Sequence, residues 1–233
     1  MVDVNKSVVA RYKKGKDMFE IMVDCDKAVD YRSGKVKDIE DVVAGDIVFS
    51  SVQHNKKADS ESLLKVFGTE EFAEIADEII RHGEVQLTAE YKNKLVEEKR
   101  KKIIGIIHRN AVDPKTGLPH PLQRIEMLMK EAKVKVDEHK TAEAQVKDIV
   151  RKMTELVPIK FETRELAVKL PATSAAKAYH VLKEYGKMLK DEWQNDGSLV
   201  AVVELPAGMQ PEFEDELNKL SQGEAEVKIL NKK

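Results

Sequence analysis

Residues 88–158 constrain the rest of the chain most: their apolar side chains recur at helical spacing. Thr88 is a candidate N-cap. Leu95, Ile103, Ile104, Ile106 and Ile107 carry a helix from it through about Arg109. Residues 110–117 break that helix, because Pro114 pushes Asp113 out of helical geometry. Pro121 suits a first helical turn and leads into Ile125, Leu128 and Met129. Thr141 caps a third helix, in which Val146, Ile149, Val150 and Met153 follow i, i+3, i+4, i+7 before Pro158 ends it. The result is a compact three-helix bundle, open to a helix-turn-helix-like arrangement. In a chain of 233 residues, such a bundle leaves two flanks that must each build their own core.

The flanks read differently. Residues 17–24 alternate as a strand, Ser33-Gly34 punctuates them as a turn, and the β-branched run 47–52 reads as a second buried strand. Ser60 opens a helix through Leu63, Leu64 and Phe67 to a Gly68 cap. Thr69 caps the next, whose stripe is Phe72, Ile75, Ala76, Ile79 and Ile80 and whose end is Gly83. Val85-Gln86-Leu87 closes the segment as a short strand. The last flank reads β-α-β-β-α-β. A strand ends at Pro171, Thr173 or Ser174 caps a helix through Tyr185, and strands at 188–193 and 199–205 flank the Asp196-Gly197 hairpin signal. A helix at 212–220 and a strand at 225–230 follow. The predicted class is α+β in three domains: a 1–87 α/β domain with strands then helices, an 88–158 three-helix domain and a 159–233 ferredoxin-like sandwich.

Composition narrows the function classes. Aromatics at 5% are too sparse for a large ligand pocket, and 42% hydrophobic residues suffice for packed domains. No run approaches the roughly 20 apolar residues of a membrane span. The opening MVDVNKSVVARYKKGK lacks a signal-peptide core, and the single Cys25 suits a reducing cytosol, so a cytoplasmic chain is expected. The net charge of −2 hides an asymmetry: 1–87 carries 13 Lys and Arg against 18 Asp and Glu, 88–158 carries 16 against 11, and 159–233 carries 11 against 13. A basic middle between acidic ends permits contact with a polyanion. There is no phosphate-cradling glycine loop, and the histidines lack the i, i+4 pairing of a helical metal site. Asp24 and Asp26 fall on one strand face and read as a solvated pair, with Cys25 between them as a buried thiol. His120 reads as a capping residue. No catalytic residue, metal site or cofactor is expected.

Several punctuation points occur together in order: Phe19-Glu20-Ile21, Tyr31-Arg32-Ser33-Gly34-Lys35, Val48-Phe49, Phe67-Gly68-Thr69 and Gly83-Glu84-Val85-Gln86. They continue as Asp113-Pro114-x-Thr116, Pro119 and Arg124-Ile125-Glu126. With these, the chain resembles the Shwachman–Bodian–Diamond syndrome (SBDS) ribosome-maturation family in its short archaeal form. The resemblance implies an N-terminal α/β domain, a middle helical domain and a ferredoxin-like C-terminal domain. It also implies a non-enzymatic, cytoplasmic monomer that binds the large ribosomal subunit and its rRNA. Such a protein assists an elongation-factor-like translational GTPase in releasing an anti-association initiation factor. Two positions depart from the family pattern: Gln53-His54-Asn55 before Lys56-Lys57-Ala58, where Ser-Lys-Gly is common, and His82, where Lys is common.

On this reading a flexible basic start (Arg11, Lys13, Lys14, Lys16) reaches rRNA, while Arg32, Lys35, Lys56 and Lys57 position the first domain through phosphates. Within Lys99-Arg100-Lys101-Lys102, successive side chains point about 100° apart, so only part of the run, with Lys99 and Lys102 as candidates, faces one partner. Lys152 and Arg164 are candidates for setting interdomain orientation near the second junction. The competing readings are a helix-turn-helix nucleic-acid-binding regulator, for which Gln123 and Arg124 are the available polar pair, and an enzyme with a ferredoxin-like regulatory domain.

Overall fold

The computed structural model describes residues 7–233; residues 1–6 of the basic opening lie outside the described residues. The chain divides into two compact units, 1–95 and 96–233, with the division inside a long helix.

In the first unit, β1 (Val8–Lys14) and β2 (Asp17–Val23) form a tight antiparallel hairpin, Lys14 opposite Asp17, turned by Gly15 at φ 65°. This corrects the expectation of a flexible start. Val8, Ala10 and Tyr12 alternate with Val9, Arg11 and Lys13, and Ala10 is fully buried, so the segment is a strand held by one apolar face. Helix α1 (Cys25–Arg32) follows where a turn was expected. Asp24 caps it, its Oδ1 accepting from Lys27 N at 3.0 Å, and Asp26 sits in the first turn. The two carboxylates are therefore a helix start and not a strand-face pair. The predicted 47–52 strand contracts to β3 (Phe49–Ser51), which pairs with β4 (Lys56–Lys57).

Helices α2 (Ser60–Phe67) and α3 (Phe72–His82) then precede β5 (Glu84–Val85). Thr69 does not cap α3; its hydroxyl accepts from Glu71 N at 3.1 Å, just ahead of the helix. The five-stranded sheet runs β4-β3-β2-β1-β5. Phe19, Ile21 and Val23 pack on Ile75, Ile79 and Ile80 of α3 and on Ala28 and Tyr31 of α1, all in one buried cluster. Fully burying a side chain of this size contributes roughly 1.5–3 kcal/mol.

The second unit holds two further apolar clusters. The end of α4 (Ala89–Asn110) packs Ile103 and Ile107 against Ile125, Leu128 and Met129 of α5 (Leu122–Glu131) and Val146, Ile149 and Met153 of α6 (Ala142–Met153). Thr141 caps α6, accepting from Ala144 N at 3.3 Å. His120 is no cap: it is buried, its carbonyl meets His108 Nδ1 at 2.8 Å and its Nε2 lies 3.3 Å from Pro158 O, so it ties its loop to the end of α4 and to the loop after α6. A two-stranded ribbon, β6 (Ala111–Val112) with β7 (Lys160–Phe161), leads into β8 (Thr163–Leu170). Then come α7 (Ala172–Tyr185), β9 (Lys187–Trp193), β10 (Leu199–Pro206), α8 (Gln210–Ser221) and β11 (Glu226–Lys232). Pro171, not Thr173 or Ser174, stands at the N-cap of α7. The all-antiparallel sheet order β11-β8-β10-β9 is that of a ferredoxin-like sandwich, as expected. Among the described residues no helix is long and apolar enough to cross a membrane.

Gly83 shows how closely α3 approaches the sheet. A Cβ there would lie 2.4 Å from both Arg11 O and Ile79 O, backbone atoms that cannot swing aside. That contact lets the chain leave α3 and pair Val85 with Ala10. Gly83→Ala is expected to destabilise the first unit by about 2–3 kcal/mol, read as a lower urea midpoint of the intact protein.

Candidate nucleic-acid interface

The ten basic side chains proposed for rRNA contact divide by what their donors already hold. Arg11 lies on β1, and its Nε donates to Glu20 Oε1 at 2.7 Å. Lys14 Nζ donates to Val66 O at 3.0 Å, and Lys35 pairs with Asp30 at 3.1 Å. Arg32 closes the end of α3: its Nε and Nη2 reach Ile80 O at 2.9 and 2.7 Å, and Nη2 reaches Gly83 O at 2.6 Å. A cation there also faces the negative end of the helix dipole. In the second unit, Lys99 Nζ donates to Glu138 O and, at 2.9 Å, to Lys140 O, tying α4 to the loop before α6.

Lys13, Lys16, Lys56, Lys57 and Lys102 are different. All are exposed, and none makes a side-chain hydrogen bond or ion pair among the described residues. Three of them, Lys16, Lys56 and Lys57, converge on one cleft of about 550 Å³ between the β1–β2 turn, the β3–β4 hairpin and the start of α2. Met18 and Phe19 form part of its floor, and Ser50, Ser51 and Ser62 add hydroxyls. Two carboxylates, Asp17 and Asp59, also line it, and Asp59 accepts from Ser62 Oγ at 2.6 Å. Lys13 stands opposite Met18 in register, on the same face of the hairpin. The arrangement can take up an extended anion such as a phosphodiester backbone: separated ammonium groups set register on it without reading bases.

The β3–β4 turn is built to hold its two lysines out. Asn55 adopts φ 48°, a left-handed conformation that asparagine tolerates, and its N–H donates to Val52 O at 3.0 Å. Ser51 Oγ contacts His54 Nδ1 at 3.0 Å, and Ser50 Oγ donates to Lys56 O at 3.2 Å. Two stabilising residues here escaped sequence reasoning. Glu20 lies buried on a strand, where a carboxylate with partners is the usual exception to exposure. Tyr31, whose hydroxyl donates to Asp77 at 2.5 Å, belongs to the overlooked α1; the Asp24 cap, Arg32 in the last turn and Ser33-Gly34 beyond were its available signals.

Lys152 is exposed on α6, beside the loop at 134–137, and makes no such bond. Arg164 is 5% exposed and fully engaged: Nε to Glu162 Oε1 at 2.8 Å, Nη1 to Gln210 Oε1 at 2.6 Å and Nη2 to Gly117 O at 2.8 Å. It thereby joins β8 to the loop after β6 and to the first residue of α8. Alongside, Glu162 N donates to Asn110 O at 3.2 Å and Ala207 N to Glu162 O at 2.8 Å. A Cβ on Gly208 would lie 2.1 Å from His108 O, so backbone meets backbone at the end of α4. Burial pushes the Glu162 carboxyl upward, but hydrogen bonds from Lys160 and Arg164 outweigh it and leave the group below the usual range. Its stabilising contribution is present above the ordinary glutamate range and lost as pH falls through the lowered value.

The three family models that match the chain are the SBDS N-terminal domain at residues 6–93, SBDS protein domain II at 101–162 and the SBDS C-terminal domain at 164–232. The chain is 41% identical to the ribosome maturation protein SDO1 homolog of Methanothermobacter thermautotrophicus, over 99% of this chain and 100% of that one. It is 38% identical to the protein of the same description from Aeropyrum pernix, over 91% of each chain. It is 29% identical to the ribosome maturation protein SBDS of Xenopus laevis, over 97% of this chain and 90% of that one.

Arg164→Ala is expected to cost about 3 kcal/mol, because it leaves the buried Glu162 carboxylate with Lys160 alone and takes the donors from Gln210 Oε1 and Gly117 O. Urea unfolding of the intact chain, followed at the second unit, measures it. Glu162→Gln should lower stability at neutral pH and flatten part of the loss on acidification, visible in melting temperatures across a pH series.

Proposed function

We propose that this chain, which belongs to the Shwachman–Bodian–Diamond syndrome (SBDS) family of ribosome maturation proteins, binds the large ribosomal subunit through rRNA phosphates held in the cleft of Lys16, Lys56 and Lys57. The observation that carries this reading is the convergence of three lysines without internal partners on one concave surface. Every one of their donors is available to a phosphate, whereas Nε of Arg11 is already on Glu20, and Nε and Nη2 of Arg32 are on the carbonyls at the end of α3. Lys13 extends the grip along the hairpin, and Lys102 supplies a separate contact from α4.

Bound in this way, the protein acts in the cytoplasm as a monomeric, non-enzymatic adaptor. It assists an elongation-factor-like translational GTPase in releasing the anti-association initiation factor. Its domains are the segments 1–87, 88–158 and 159–233. Arg164 sets the orientation of the last two, since its three hydrogen bonds span residues from both.

The test is co-sedimentation with purified archaeal large and small ribosomal subunits across a salt series. Selective pelleting with the large subunit is expected. The triple change Lys16→Glu, Lys56→Glu and Lys57→Glu should weaken it by at least tenfold and make it less steeply salt-dependent, as each lost phosphate contact removes roughly one unit of slope. Equal pelleting with both subunits, or a variant that binds like the parent, would overturn the reading.

A further inference from the structure

The β3–β4 hairpin, which carries Lys56 and Lys57, is weakly attached by its backbone. Strand β3 pairs with β2 at a single register position, Glu20 opposite Phe49, and β4 pairs only with β3. A two-residue edge strand held in this way would swing, and the lysines with it. The side chain of Glu20 supplies a second attachment. Its Oε2 accepts from Val52 N at 2.8 Å, at the first residue of the turn, while its Oε1 accepts from Arg11 Nε at 2.7 Å. The Glu20 side chain is 7% exposed and that of Arg11 is 41% exposed. The carboxylate is thus sealed between the sheet and the turn, and the guanidinium closes it from outside.

We infer that Glu20 is a positioning residue for the phosphate-binding cleft: it fixes the turn from Val52 and so holds Lys56 and Lys57 at the spacing that grips RNA. Arg11 is its counter-ion and not a phosphate ligand. The inference rests on the cleft reading above, and its chemistry is simple. A buried carboxylate with one oxygen on an amide and the other on a guanidinium has both oxygens engaged; removing the carboxylate releases both partners, and removing the guanidinium leaves a buried charge on one hydrogen bond. Preorganisation of this kind lowers the ordering cost of binding without adding a contact to the RNA.

The experiment uses the full chain and purified archaeal large subunits, with Glu20→Ala, Glu20→Gln, Arg11→Gln and the pair Lys56→Ala/Lys57→Ala, alone and combined. Glu20→Ala is expected to weaken binding roughly three- to tenfold, the loss of one charge-assisted hydrogen bond expressed through the turn. Glu20→Gln, which keeps an acceptor for Val52 N, should recover part of that loss. Combined with Lys56→Ala/Lys57→Ala, Glu20→Ala should add nothing, because the groups it positions are gone. Arg11→Gln should weaken binding while leaving the slope of log affinity against log salt within about half a unit of the parent, since no phosphate contact is lost.

A Glu20 effect that adds fully to the lysine effect overturns the positioning role while leaving the cleft intact. An Arg11→Gln slope lower by about one unit makes Arg11 a phosphate ligand and overturns its assignment as the counter-ion of Glu20. Binding unchanged by Lys56→Ala/Lys57→Ala removes the cleft reading itself, and the positioning role with it. Glu20→Gln and Arg11→Gln keep the test decisive if Glu20→Ala does not fold.

Discussion

A proton on a guanidinium or ammonium group can satisfy one acceptor at a time, and a charge taken out of water must find its acceptors inside the protein. This rule organises both units. Arg32 is committed to the carbonyls at the end of α3, Lys99 to those of the loop before α6, and Arg164 to a carboxylate, an amide oxygen and a carbonyl from three separate segments. None of these joints is made by apolar packing alone. The apolar clusters supply most of the burial energy, but they are tolerant of small shifts. The charged joints fix which loop meets which helix.

The same rule separates scaffold from surface. In a chain where charged residues make up 35% of the sequence, counting lysines says little about where a polyanion binds. Asking which cations are unclaimed says more. Among the described residues the unclaimed candidates of the first unit gather on one side of one hairpin pair, at Lys13, Lys16, Lys56 and Lys57. Surface ammonium groups of this kind contribute almost nothing to folding, so their convergence is free to serve binding.

Much of the architecture was legible from periodicity. The stripe Ile75, Ala76, Ile79, Ile80 and the i, i+3, i+4, i+7 run from Val146 are buried as their spacing requires. The β-α-β-β-α-β order of the last segment also follows from alternation and one Asp-Gly turn. What was illegible is instructive. Helix α1 has little amphipathic contrast, because it sits with Cys25, Ala28 and Tyr31 inward and charges nearly all around them, so no stripe stands out. Strand β1 was masked by its lysines, although its alternate residues Val8, Ala10 and Tyr12 face the core. The cleft could not be seen at all, since Lys16 and Lys56 are brought together only by the pairing of β2 with β3, and Glu20 beneath them looks like any strand-surface acid.

Strand β1 occupies an interior position in its sheet, hydrogen-bonded to β2 on one side and to β5 on the other. Its two neighbours are unequally distant along the chain: β2 follows after one tight turn, but β5 comes only after α1, α2 and α3. During synthesis the first hairpin can therefore close at once, on the microsecond scale, whereas the far edge of β1 stays open until Glu84 and Val85 have been made. The nascent chain carries an unpaired strand edge for that interval, and the cationic side chains of Arg11 and Lys13 along it discourage pairing with another chain.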